Sequence, residues 1–150
     1  MIRDTIKAAQ VAAMKSGDKP RLAAVRLILA KLKDRDIELR TAATQPDDDA
    51  MAIEVLQKMV KQRRESILLF DQGGRPEKAA DERAELAVIE EFLPQQLSEA
   101  DTKAAIETIK AELGATGLKD MGKVMAELKA RHGAVLDMSK ASGWVKEMLA

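Results

Sequence analysis

Glycines and prolines cut this 150-residue chain into seven stretches, and within each the apolar residues return every three or four positions. That is the spacing of one helix face, not the two-residue alternation of a half-buried strand. Ile2, Ile6, Ala9 and Ala13 mark a first helix that Gly17 stops. Asp18 is placed to cap a second helix, with Pro20 tolerated in a first turn whose amides lack partners anyway, and Leu22, Val25, Leu29 and Leu32 form its stripe. A polar linker from Thr41 to Pro46 precedes Asp47, Asp48 and Asp49, whose charges suit the positive end of a long third helix. That helix carries Ile53, Leu56, Val60, Ile67 and Phe70 before Gly73-Gly74 ends it. Arg75-Pro76 opens a fourth, with Leu86, Ile89 and Leu93 inward.

Pro94 is the expected boundary between two units. Beyond it, Ser98 with Asp101 three residues on resembles a capping box for a fifth helix, which Gly114 closes. A sixth is expected from about Lys119 to His132, with Met121, Val124, Met125 and Leu128 inward; Asp137 or Ser139 caps a seventh that turns Val145, Met148 and Leu149 to one side. The expected fold is all-α, a multi-helix array over residues 1–94 followed by a small three-helix unit over residues 95–150.

Composition agrees with helix. Phe70, Phe92 and Trp144 are the only aromatics and Tyr is absent, which disfavours a β-sandwich or barrel, whereas Ala, Leu, Lys, Glu and Met are abundant. The absence of Cys removes disulfides, thiolate metal sites and a cysteine nucleophile together. No apolar run approaches the ~20 residues that cross a bilayer, and Met1-Ile-Arg-Asp lacks an apolar signal core, so a soluble, cytoplasmic protein without a membrane partner is expected.

Net charge is zero but segregated. Residues 1–40 hold ten Lys/Arg against five Asp/Glu, residues 47–94 hold seven against twelve, and residues 95–150 balance at eight and eight. Mutual neutralisation of basic and acidic helices in an antiparallel bundle is the expected use of this pattern, ahead of a dedicated polyanion face.

Gly117-Leu-Lys-Asp-Met-Gly-Lys-Val124 spells a phosphate-binding P-loop up to its final letter. A P-loop needs a hydroxyl residue after Gly-Lys to hold magnesium and a buried strand leading in. Val124 has no hydroxyl, and Ile106 to Thr116 is helical in period, so no nucleotide cofactor follows from this stretch. What remains is a Gly-rich turn with Lys119 and Lys123 four apart beside amides that open a helix, a place where an anion is readily held. Gly117, Lys119 and Lys123 are therefore candidate contacts to a nucleic-acid backbone, with Lys146 as a further helper.

The other constellations carry less chemistry. Asp47, Asp48 and Asp49 point ~100° apart on a helix and cannot converge on one metal ion. His132, the only histidine, suits a helix C-terminus and has no nucleophile beside it, Ser139-Lys140 lacks an activating partner, and Trp144 lies at core spacing from Ala141 and Met148. No catalytic set is assigned. Lys58, Lys61, Arg63 and Arg64 form a secondary basic cluster, for which pairing with Glu77, Asp81, Glu82 and Glu85 on the next helix competes with phosphate or carboxylate binding.

Three segments in order, Lys61-Gln-Arg-Arg-Glu-Ser66, Glu90-Glu-Phe-Leu-Pro94 with Gln96-Leu-Ser98, and Gly117-Leu-Lys-Asp-Met-Gly-Lys-Val-Met125, resemble those of the YqeY family, also called GatB/YqeY-like proteins, and the likeness runs from end to end. The resemblance implies a helical N-terminal unit joined to one like the tail of the GatB subunit of glutamine-dependent tRNA amidotransferase, a tail that helps engage tRNA. It also implies the family's label of carbon–nitrogen ligase with glutamine as amido donor, although any glutamine-hydrolysing Cys must lie elsewhere. Asp137-Met-Ser-Lys140 departs from the family's Asp-Gly-Lys turn, and no role is carried over to Lys140. The expected function is a non-catalytic tRNA-associated adaptor linked to amidotransferase chemistry. The alternatives are a protein-interaction module on an aminoacylation or amidotransferase complex, using Met121, Met125, Met138 and Met148, and the ligase itself.

Overall fold

The computed structural model describes residues 1–150 and contains seven α-helices and no strand: α1 (Ile2–Ser16), α2 (Lys19–Leu39), α3 (Asp48–Gln72), α4 (Pro76–Glu91), α5 (Glu99–Leu113), α6 (Met121–His132) and α7 (Met138–Leu149). The chain divides into two compact units, Met1–Leu93 and Pro94–Ala150. No helix is long and apolar enough to cross a membrane.

Local chemistry sets the helix ends. Asp18 and Asp47 accept hydrogen bonds from the amides of Arg21 (3.2 Å) and Ala50 (3.1 Å), satisfying donors that an α-helix leaves open at its start. Gly114 ends α5 at φ 63°, in the left-handed region where a Cβ is penalised. Two expected starts are refined. Asp137, not Ser139, caps α7, its Oδ1 taking the amides of Ser139 (3.0 Å) and Lys140 (3.3 Å). The sixth helix begins at Met121 rather than Lys119, because the Asp120 amide bonds to the Gly117 carbonyl at 3.0 Å and winds Leu118–Asp120 into a tighter 3-10 turn.

In the first unit the core joins all four helices: Ile6 from α1, Val25, Ile28 and Leu32 from α2, Leu56 from α3 and Ile89 from α4 are at most 1% exposed. Each such side chain contributes about 1.5–3 kcal/mol relative to its exposed state. A polar clamp closes one end. The Arg3 guanidinium donates to Asp36 at 2.8 and 2.9 Å and to Asp48 at 2.9 and 3.2 Å, and the Ile2 amide donates to Asp49 at 2.9 Å. The aspartate triplet thus divides its work: Asp47 caps its own helix, while Asp48 and Asp49 hold the start of α1.

The second unit packs α5, α6 and α7 around Ile106, Ile109, Val124, Leu128, Ala141 and Val145, all at most 1% exposed. Lys110 of α5 donates to the Met148 carbonyl at 3.1 Å, satisfying an acceptor in the last turn of α7.

Candidate functional site

Lys119 and Lys123 stand at the entrance to α6, the first in the 3-10 turn and the second in the first helical turn, and both side chains are exposed. Neither is held by a carboxylate. Glu127, four residues past Lys123, is taken by Arg131 at 2.7 Å, and Arg131 also reaches Glu112 at 2.6 Å. The two ammonium groups therefore remain available to an incoming anion.

Two backbone amides of the turn are already bonded within it. Asp120 closes the turn, accepting the Thr116 amide at 3.1 Å while its own amide is bonded to Gly117. Gly117 is extended at φ −162°, a conformation open to any residue, and Gly122 lies inside α6; a Cβ at either meets nothing within 4 Å. Neither position demands glycine, and α6 is not fed by a strand, so the P-loop likeness ends in spelling. Gly122→Ala is expected to stabilise the protein by about 0.5–1 kcal/mol, because glycine is a poor helix residue. A rise in the urea midpoint at constant slope checks this, and a fall would show that the space beside Gly122 is needed.

Lys146 is exposed on α7, a different helix from Lys119 and Lys123, and carries no ion pair. The secondary cluster on α3 is divided by its surroundings. Arg63 Nε lies 2.9 Å from Glu85 and 3.3 Å from Glu82, and Arg64 reaches Glu90 at 3.5 Å, so both arginines serve the α3–α4 pairing. Lys58 and Lys61 stay exposed on α3, and Lys58 lines an open groove that also holds Lys31, Asp34, Arg35 and Glu38. Mixed charge makes this groove a weak attractor for a polyanion.

The methionines named for the docking alternative follow their core spacing: Met121, Met125, Met138 and Met148 are partly buried and pack on the second core. Trp144 packs there too, with the Lys103 ammonium 5.8 Å from its ring centroid, and Glu99 holds Lys103 at 2.8 Å and raises its pKa. The expected neutralisation of the N-terminal segment by the acidic helices is partial. Of the ten Lys/Arg in residues 1–40, Arg3 and Arg21 cross to α3 and α4 through Asp48 and Glu91, and Arg35 pairs within α2 with Glu38. The other cations of that segment make no ion pair, a surplus that charge counting alone did not locate.

No curated protein sequence matches the chain. A family model described as Yqey-like protein matches residues 3–149, from the second residue of α1 to the last of α7. With that match covering both helical units, the chain belongs to the YqeY-like family.

Proposed function

We propose that this protein is a non-catalytic, tRNA-associated adaptor linked to glutamine-dependent amidotransferase chemistry, in which the Pro94–Ala150 unit holds RNA backbone as the GatB tail does. The observation that carries this reading is the pair of exposed, unpaired ammonium groups of Lys119 and Lys123 at the entrance to α6. Lys146 adds charge from α7. Lysines contact phosphate as point charges, which gives affinity and position without choice of sequence.

The test is a fluorescence titration of bulk tRNA over a salt series. Lys119→Ala/Lys123→Ala is expected to weaken binding about tenfold and to lower the slope of log affinity against log salt by about 1.5, the share of two phosphate contacts. Equal slopes for wild type and double variant, or no salt-sensitive binding by the wild type, would refute it. Multiple-turnover assays with glutamine, ATP and misacylated tRNA test the ligase alternative: amide formation by the isolated chain would replace the adaptor reading with an enzymatic one.

A further inference from the structure

We infer that the solvent face of α2 is a second contact for the sugar-phosphate backbone of folded RNA, through a row formed by Lys19, Arg26, Lys33 and Arg40. The four are spaced by seven residues, all are exposed, and Arg40 continues the helical geometry as the C-cap of α2 at φ −57° and ψ −32°. Seven residues advance ~10.5 Å along a helix and drift by ~20°, so the row is ~32 Å long and winds gently, by ~60° from end to end. Between its members stand Ala23, Ala30 and Ile37, also exposed. The alanines keep the ridge low, and a polyanion can come close to it.

What keeps the row free is the pairing elsewhere. Helical neighbours three and four residues away offer these cations only one carboxylate, Asp36, which lies within that reach of both Lys33 and Arg40. Arg3 of α1 takes Asp36 with two hydrogen bonds, at 2.8 and 2.9 Å. The acidic helices α3 and α4 hold Arg63, Arg64 and Arg83 of their own hairpin. None of the four row residues is engaged. A helix face with four cations, whose one neighbouring carboxylate is already held by Arg3, is complementary to an extended polyanion.

The shape selects among polyanionic partners. At ~32 Å the row is far longer than a single phosphate requires and suits a run of successive phosphates. A lipid surface would gain little from it, because Ile37 is the one exposed bulky apolar side chain along the row, Leu22 and Leu29 beside it are half-buried, and no aromatic accompanies them. A helical protein partner would likewise find alanine where a seam needs large apolar knobs. Without base-reading amides or aromatics on the face, the contact reads charge and geometry, not sequence.

This inference rests on the RNA-associated reading and is separable from it by experiment. Full-length wild type, Lys19→Gln/Arg26→Gln/Lys33→Gln/Arg40→Gln and Lys119→Ala/Lys123→Ala are titrated with bulk tRNA and with a short RNA duplex over a salt series. A charge-matched control, Lys31→Gln/Lys58→Gln/Lys61→Gln/Lys78→Gln, removes four exposed lysines from other faces. The row variant is expected to lower the salt slope by about 3, since each phosphate contact is worth ~0.7–0.9 in slope, and to lose at least tenfold in affinity, with the control near wild type. Loss of the same size in the control would make binding a net-charge effect and overturn the row. An unchanged slope in the row variant, with Lys119→Ala/Lys123→Ala still impaired, would sink the row while leaving the Pro94–Ala150 contact standing. No salt-sensitive RNA binding in the wild type would remove both. Binding of anionic vesicles or an acidic helical peptide that depends on the row, without dependence for RNA, would reassign the face to another partner.

Discussion

Leu128→Ala is expected to lower stability by about 2–5 kcal/mol, the range for truncating a buried leucine whose cavity cannot fully collapse, and to unfold α5, α6 and α7 under conditions where the wild type is folded. Leu128 is fully buried among Ile106, Ile109, Val124 and Val145. A core in so short a unit supplies only about 3–5 kcal/mol, so one lost side chain is comparable to the whole. Hydrogen exchange on the full chain measures this directly: amides of α5–α7 should approach the rates of an unprotected chain. Retained protection there would show that Leu128 is not central. Leu128→Met, which nearly conserves volume, should cost less than about 1.5 kcal/mol. The pair also bears on function, because the alanine variant should lose the RNA contact of Lys119 and Lys123 with both lysines intact, and the methionine variant should keep it.

The fold was open to reading because punctuation and periodicity act locally. Gly17, Gly73-Gly74, Gly114 and Gly133 stop helices through short-range bonds, and Asp18, Asp47 and Ser98 start them in the same way, so seven helices follow from neighbouring residues alone. Which apolar residues lie deepest is a matter of tertiary packing. In α2 the sequence stripe of Leu22, Val25, Leu29 and Leu32 included two fully buried residues, Val25 and Leu32, but passed over Ile28, which lies between them on the side that meets the other helices. The sixth helix starts two residues later than the expected Lys119, because a 3-10 turn and an α-turn share composition; the bond from the Asp120 amide to Gly117 distinguishes them.

Charge was harder to read than packing. Segment totals located a basic N-terminal region but not which cations are neutralised, since that depends on contacts between residues 33 to 70 positions apart, such as Arg3 with Asp36 and Arg21 with Glu91. The seven-residue recurrence of Lys19, Arg26, Lys33 and Arg40 was present in the sequence. Its meaning required knowing that Asp36 is occupied. Lys119 and Lys123 were easier to find, because they sit in a Gly-rich turn, although two of the amides there, those of Thr116 and Asp120, are committed to Asp120 and Gly117.

Arg3→Ala is expected to cost about 2 kcal/mol near pH 7, more than an exposed ion pair and less than a fully buried one, because Arg3 is 20% exposed while its partners Asp36 and Asp48 are 43% and 39% exposed. Arg3→Lys should recover little, since one ammonium cannot reproduce a fork that serves two carboxylates. The loss has a signed pH dependence. Hydrogen bonds from Arg3 hold the Asp48 carboxyl below its ordinary range, so its contribution is fully present above the unfolded-state pKa of ~3.9 and disappears as pH falls through the lower folded-state value. Urea midpoints of wild type and variant should therefore differ most at pH 6–7 and converge as the pH falls below the unfolded-state value of ~3.9, and a gap independent of pH would refute the ionic account of the clamp. Removing Arg3 also releases Asp36 toward Lys33 and Arg40. The variant should accordingly show a lower salt slope for RNA at temperatures where it remains folded, and Arg3→Ala combined with Asp36→Asn should restore that slope without restoring stability, because the freed carboxylate, not the missing guanidinium, neutralises the row.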